Sequence, residues 1–94
     1  MKAVKAGKKV YAFIEVKARF DEEANLKWGE SLEKAGVKVS YSFPGLKVHS
    51  KLAMVKRTEN EKTTIYTYLS SGNFHEDTAK IYTDLGFFTA DKRI

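Results

Sequence analysis

Ninety-four residues with 43% hydrophobic content, six Phe, five Tyr and one Trp suffice for a single small domain, residues 1–94, with a modest core. The absence of cysteine excludes disulfides, thiolate metal sites and thiol catalysis, and agrees with a reducing, cytoplasmic setting. A net charge of +5 favours a polyanionic partner, while the sequence shows neither a signal peptide nor an apolar run of membrane-spanning length.

The chain opens on Lys2-Ala-Val-Lys-Ala-Gly7, which reads as the end of a helix. Val10 to Val16 follows as a strand, with Val10, Ala12, Ile14 and Val16 on one side and Tyr11, Phe13 and Glu15 on the other, apolar enough for burial on both faces. Asp21 suits the cap of the next helix and Glu22 and Glu23 its positive end; Ala24, Trp28, Leu32 and Ala35 form its apolar stripe, and Gly36 its stop. Val37 to Phe43 alternates with period two and completes a strand, helix, strand unit, which pairs in parallel through a right-handed crossover.

Pro44-Gly45 turns the chain into Leu46-Lys-Val-His-Ser-Lys-Leu-Ala-Met-Val55, expected as a strand. Alternation puts Leu46, Val48, Leu52 and Met54 on one face and Lys47, His49 and Lys51 on the other. An imidazole and an ammonium on one face suit phosphate chemistry, because a neutral ring nitrogen can attack phosphorus while lysine offsets charge on the equatorial oxygens. Taken alone, His49 reads as a structural histidine on a polar sheet face and Lys51 as a surface lysine.

Thr58 to Lys62 is a polar loop, and Thr63 to Leu69, rich in Thr, Ile and Tyr, returns as the second arm of an antiparallel hairpin. Ser70-Ser-Gly-Asn73 reads as a loop; Glu76 to Leu85 as a short helix with Ala79, Ile81, Tyr82 and Leu85 inside; Gly86 as its stop; Phe87 and Phe88 as core. The class is therefore α/β, with a mixed sheet and flanking helices.

Four segments together resemble the carboxyl-terminal catalytic region of the long-chain polyphosphate kinases, relatives of the phospholipase D superfamily. They are Lys17-Ala-Arg-Phe-Asp-Glu-Glu-Ala-Asn25, Phe43-Pro-Gly-Leu-Lys-Val-His-Ser-Lys-Leu52, Ser71-Gly-Asn-Phe74, and Thr78-Ala-Lys-Ile-Tyr-Thr-Asp84 running on to Asp91. The resemblance implies one phospholipase D-like half of an enzyme that reversibly transfers the terminal phosphate of ATP to polyphosphate with Mg²⁺. It further implies a phosphohistidine at His49, accompanied by Lys51 and Asn73, with Tyr82 at the nucleotide and Arg19 at the magnesium site. Arginine carries no metal-ligating lone pair, so Arg19 would act there through phosphate oxygens or metal-bound water.

Two positions depart from the pattern. Lys56 stands where the wider superfamily has an aspartate, which counts against phosphodiester hydrolysis, and Tyr68 stands where some kinases of the family have a second histidine. A phenol does not replace an imidazole base at neutral pH. The family's enzymes are several times longer, so the resemblance implies a piece of a larger protein, inactive alone, whose parent is cytoplasmic or membrane-associated and forms homo-oligomers.

Several residues keep more than one reading. Glu15 either orients the second nitrogen of His49, or pairs with a lysine or reaches the sheet edge; Arg19 is a site residue or a loop partner of Asp21 or Glu22; Asp21, Glu22 and Glu23 are a capping run that resembles a magnesium site. Asn73 is a site residue, a turn former or a helix cap, Tyr82 a stacking ring or a packing aromatic, and His75 a helix-start residue. Two other functions stay open: a non-catalytic binder of polyphosphate or nucleic acid, and a phosphodiesterase built from paired halves.

Overall fold

The computed structural model describes residues 1–16, 22–43 and 45–94, and the chain divides into two compact units, Met1–Val48 and His49–Ile94. The expected α/β class holds, with parallel pairing in the first unit and antiparallel pairing in the second.

The first unit contains α1 (Lys2–Lys5), β1 (Tyr11–Ile14), α2 (Glu22–Lys34) and β2 (Lys38–Tyr41). β1 and β2 pair in parallel, Tyr11 opposite Lys38 and Ile14 opposite Tyr41, as the strand, helix, strand pattern requires. Both strands are shorter than their apolar runs, and β1 is half-buried on one side only. Ala12 and Ile14 face inward, whereas Tyr11 is 68% and Phe13 58% exposed, which corrects the expectation of burial on both faces.

Helix α2 ends as its sequence dictates. Gly36 takes φ +91°, and the N–H groups of Gly36 and Val37 bond the carbonyls of Glu33 and Leu32, a closure that needs the left-handed conformation glycine adopts without strain. Its inner face differs from the expected stripe. Trp28 is 63% exposed and Ala24 is exposed, while Asn25, Gly29 and Leu32 point inward and Gly29 is the buried residue of the helix. The cause is Tyr41, whose ring and hydroxyl lie directly against the Gly29 backbone, where a side chain would collide. Gly29 is therefore the seat of the helix on β2, not a weak point. Burial holds the Tyr41 phenol above its ordinary pKa, with the Glu33 and Glu30 carboxylates adding to the effect.

The second unit contains β3 (Lys51–Glu59), β4 (Lys62–Ser70), α3 (Glu76–Ala79) and β5 (Gly86–Thr89), in sheet order β3-β4-β5, all antiparallel. The hairpin is longer than expected. Strand pairing runs to Glu59 opposite Lys62, and the turn contracts to Asn60 and Glu61, at φ +49° and +64°, the left-handed pair of a type I′ turn. α3 spans four residues, capped by His75, whose Nδ1 accepts the Thr78 N–H at 3.3 Å. It does not extend to Leu85. Ile81, Tyr82 and Leu85 are 75%, 67% and 82% exposed, and Gly86 opens β5 instead of stopping a helix.

Opposed residues share a face, so Ala53, Tyr68 and Phe88 form one row and Leu52, Leu69 and Phe87 the next row on the other side. Tyr68 packs on Phe88 with ring centroids 4.5 Å apart and on Phe74 at 5.9 Å. Both faces of this sheet carry exposed apolar side chains, Leu52, Met54 and Phe87 on one, Val55 and Phe88 on the other. Phe87 and Phe88 return to the sheet but not to a sealed core. Among the described residues Val37 is the one buried hydrophobic side chain.

Candidate active site

The sequence places His49 inside a strand, but β3 begins at Lys51. Its partner strand explains the late start. Lys51 is paired with Ser70, the last residue of β4, and beyond Ser70 the chain turns away, so residues before Lys51 have no β4 backbone to pair with. Strand alternation therefore does not carry His49, Lys47, Leu46 and Val48 onto common faces with the residues of β3. His49 is exposed at the entrance to β3, and Lys51 is half-buried at its first position.

Lys51, Ser50, Leu69, Ser70, Ser71 and Leu85 line a shallow cavity of about 280 Å³ at this end of the sheet. None of the ion pairs among the described residues involves Lys51; they join Glu23 to Lys27, Arg57 to Glu59, Asp77 to Lys80 and Asp91 to Arg93. Among the described residues, then, no carboxylate pairs with Lys51. Asn73 is exposed in the loop that leaves β4, with its carbonyl accepting the His75 N–H at 2.8 Å. Tyr82 stands past α3 with its ring largely in solvent.

Arg19 and Asp21 lie outside the described residues. Glu15 finds its partner in backbone, its Oε1 accepting the Val48 N–H at 3.1 Å within the first unit. Tyr68 is a packing aromatic whose ring lies over Gly86, where an added Cβ would sit 2.8 Å from its hydroxyl. Among the described residues no group of three or more His, Asp or Glu side chains could hold a metal ion, so those residues do not by themselves form a magnesium site.

Sequence reasoning missed the residues that close the Asn73 loop. Ser71 Oγ donates to Asp84 Oδ1 at 3.0 Å and accepts the Leu85 N–H at 3.0 Å, while the Ser71 N–H donates to the Leu85 carbonyl at 3.1 Å. The Gly72 N–H donates to Ser70 Oγ at 2.9 Å. The doublet Ser70-Ser71 directly before Gly72-Asn73 was the available signal, since short hydroxyl side chains bond nearby backbone at turns.

The profile of the family Polyphosphate kinase C-terminal domain 1 matches residues 1–94, the whole chain. The chain belongs to the polyphosphate kinase family. It is 53% identical to the polyphosphate kinase of Yersinia pestis over 88 residues, 94% of this chain, and 53% identical to that of Erythrobacter litoralis over 94 residues, all of it. It spans 13% of the length of each of these curated relatives. The crystal structure of the Porphyromonas gingivalis polyphosphate kinase superposes with a TM-score of 0.68 at 46% identity, over 95% of this chain and 15% of that one. The α/β architecture, with its parallel and antiparallel pairings, agrees with part of a phospholipase D-like domain within such a kinase. No helix among the described residues of this polyphosphate kinase family member is long and apolar enough to cross a membrane.

Proposed function

We propose that this chain is the segment of a polyphosphate kinase that carries the phosphoacceptor, His49, and that it works as one part of a longer enzyme. A ring nitrogen of His49 attacks the terminal phosphorus of ATP, an N–P bond forms as the bond to the bridging oxygen breaks, and ADP leaves. The terminal oxygen of polyphosphate then attacks the same phosphorus and releases the imidazole, and both steps run in reverse. Attack requires an unprotonated ring nitrogen.

The observation that carries this reading is the exposed His49 at the entrance to β3, followed by Ser50 and Lys51, which line the cavity at this end of the sheet, Lys51 having no carboxylate partner among the described residues. Lys51 spreads the charge that gathers on the transferred phosphoryl group, and the Asn73 amide donates to its oxygens. The exposed Tyr82 ring offers an adenine a stacking face. Arg19 contributes through phosphate oxygens. Mg²⁺ brought by the nucleotide would offset phosphate charge.

The test uses the full coding sequence that contains this chain. With labelled ATP and Mg²⁺ the protein takes up an acid-labile, base-stable label that is lost in His49→Ala; label that survives the substitution overturns the assignment. The net charge of +5 supports a second reading for the isolated chain, a polyanion binder without turnover. Polyphosphate binding that persists in His49→Ala and weakens steeply with salt favours it.

A further inference from the structure

We propose that Ser71 and Asp84 are positioning residues that hold the Gly72-Asn73 loop in register for phosphoryl transfer; the inference rests on the reading of Asn73 given above. β4 ends at Ser70, and the backbone must leave the sheet and present Asn73 within three residues. A loop this short, with a glycine at its centre, has no rigidity of its own. Ser71 supplies it. Its single hydroxyl hydrogen goes to Asp84 Oδ1 and one of its two lone pairs takes the Leu85 N–H, so the hydroxyl is tied twice to one segment, Asp84-Leu85.

The other carboxylate oxygen of Asp84 closes on the loop from above. A Cβ at Gly72 would lie 2.5 Å from Oδ2, 2.6 Å from Cγ and 2.8 Å from the Asp84 Cβ, so the carboxylate occupies the space a side chain would need. Asp84 therefore grips residue 71 by a charge-assisted hydrogen bond and residue 72 by contact, one residue before Asn73. Ser71 and Asp84 are exposed, where such bonds compete with water and add little to stability. Their effect belongs in the placement of Asn73, where a displacement of about 1 Å can cost about a hundredfold in rate.

The experiment uses the full coding sequence. Ser71→Ala and Asp84→Ala are expected to lower kcat by about 10- to 100-fold with KM for ATP changed less than about twofold. Asp84→Asn and Ser71→Thr, which keep the acceptor and the hydroxyl, retain most of the rate. In an Asn73→Ala background neither alanine change lowers kcat further, because all three act through one group. Amide exchange of the Ser70–Phe74 segment rises in Ser71→Ala and Asp84→Ala but not in Asp84→Asn. Unchanged exchange, or losses that add to that of Asn73→Ala, overturns the proposal. Faster exchange together with full activity in Asn73→Ala instead overturns the role given to Asn73 and leaves the grip on the loop intact.

Discussion

Gly72 and Asp84 approach so closely that the pair admits no side chain on the glycine: its Cβ would sit 2.5 Å from Asp84 Oδ2 and 2.8 Å from the Asp84 Cβ, next to the main chain. Rotating the carboxylate away does not relieve the second contact, so the loop itself must move. Gly72→Ala is expected to cost about 1–3 kcal/mol, the usual range for overpacking. The urea midpoint measures it, and Asp84→Gly in the same chain should recover part of the loss.

A second close approach, Tyr41 over Gly29, sets up a contest between two effects of opposite sign. Alanine gains about 1 kcal/mol over glycine in a helix interior. Displacing the Tyr41 ring costs more, about 1–3 kcal/mol. Gly29→Ala is therefore expected to destabilise the chain, and Tyr41→Ala should reverse the sign by making room. Urea midpoints of the two single variants and the double variant decide it.

Glu61 occupies the second central position of the β3–β4 turn at φ +64°, where an L-residue is strained by about 1 kcal/mol. Glu61→Gly would set a glycine directly after Asn60, and asparagine followed by glycine is the pair this turn type prefers. The substitution is expected to raise stability by about 1 kcal/mol, seen as a higher melting temperature.

The Arg93 side chain donates to both carboxylate oxygens of Asp91, and with the Arg93 N–H it holds the Asp91 carboxyl below the ordinary carboxylate range. A depressed folded-state pKa means that the favourable contribution is fully present above the unfolded-state value and fades as pH falls through the lowered one. In Arg93→Ala the Asp91 carboxyl should titrate at higher pH, toward the ordinary range, as followed by carboxyl chemical shifts. An unmoved titration would show that the pair does not persist in solution.

Leu52 and Met54 are 50% and 55% exposed on one face of β3, an edge strand of its sheet among the described residues. Apolar surface on an unpaired edge invites association. The isolated chain is expected to self-associate, and Leu52→Lys with Met54→Lys to weaken that by about tenfold or more, a change of about 1.4 kcal/mol. Sedimentation at several concentrations measures it.

Local chemistry made much of this fold legible: the parallel β1–β2 unit, the hairpin, the Gly36 stop and the His75 cap follow from period, glycine and capping residues. What misled was the assumption that apolar periodicity implies burial. Trp28, Ile81, Tyr82, Leu85 and Phe88 all fit a stripe or strand pattern, yet they are exposed because no layer among the described residues covers them. Apolar pattern records where a residue is suited to pack, and among the described residues no layer meets these side chains. The candidate site proposed above starts from residue identities, His49, Lys51 and Asn73, singled out through their flanks. Its supports were not legible, because Ser71 meets Asp84 across 13 positions of sequence, and hydrogen bonds across such a gap leave no periodic trace.

The outward position of Trp28 gives the chain a built-in optical probe. It is the sole tryptophan of the sequence and is 63% exposed, so its emission should resemble that of free indole in water and change little when the chain unfolds. A blue shift on mixing with another domain, or in a longer version of the protein, would report directly that the outer side of α2 has been covered.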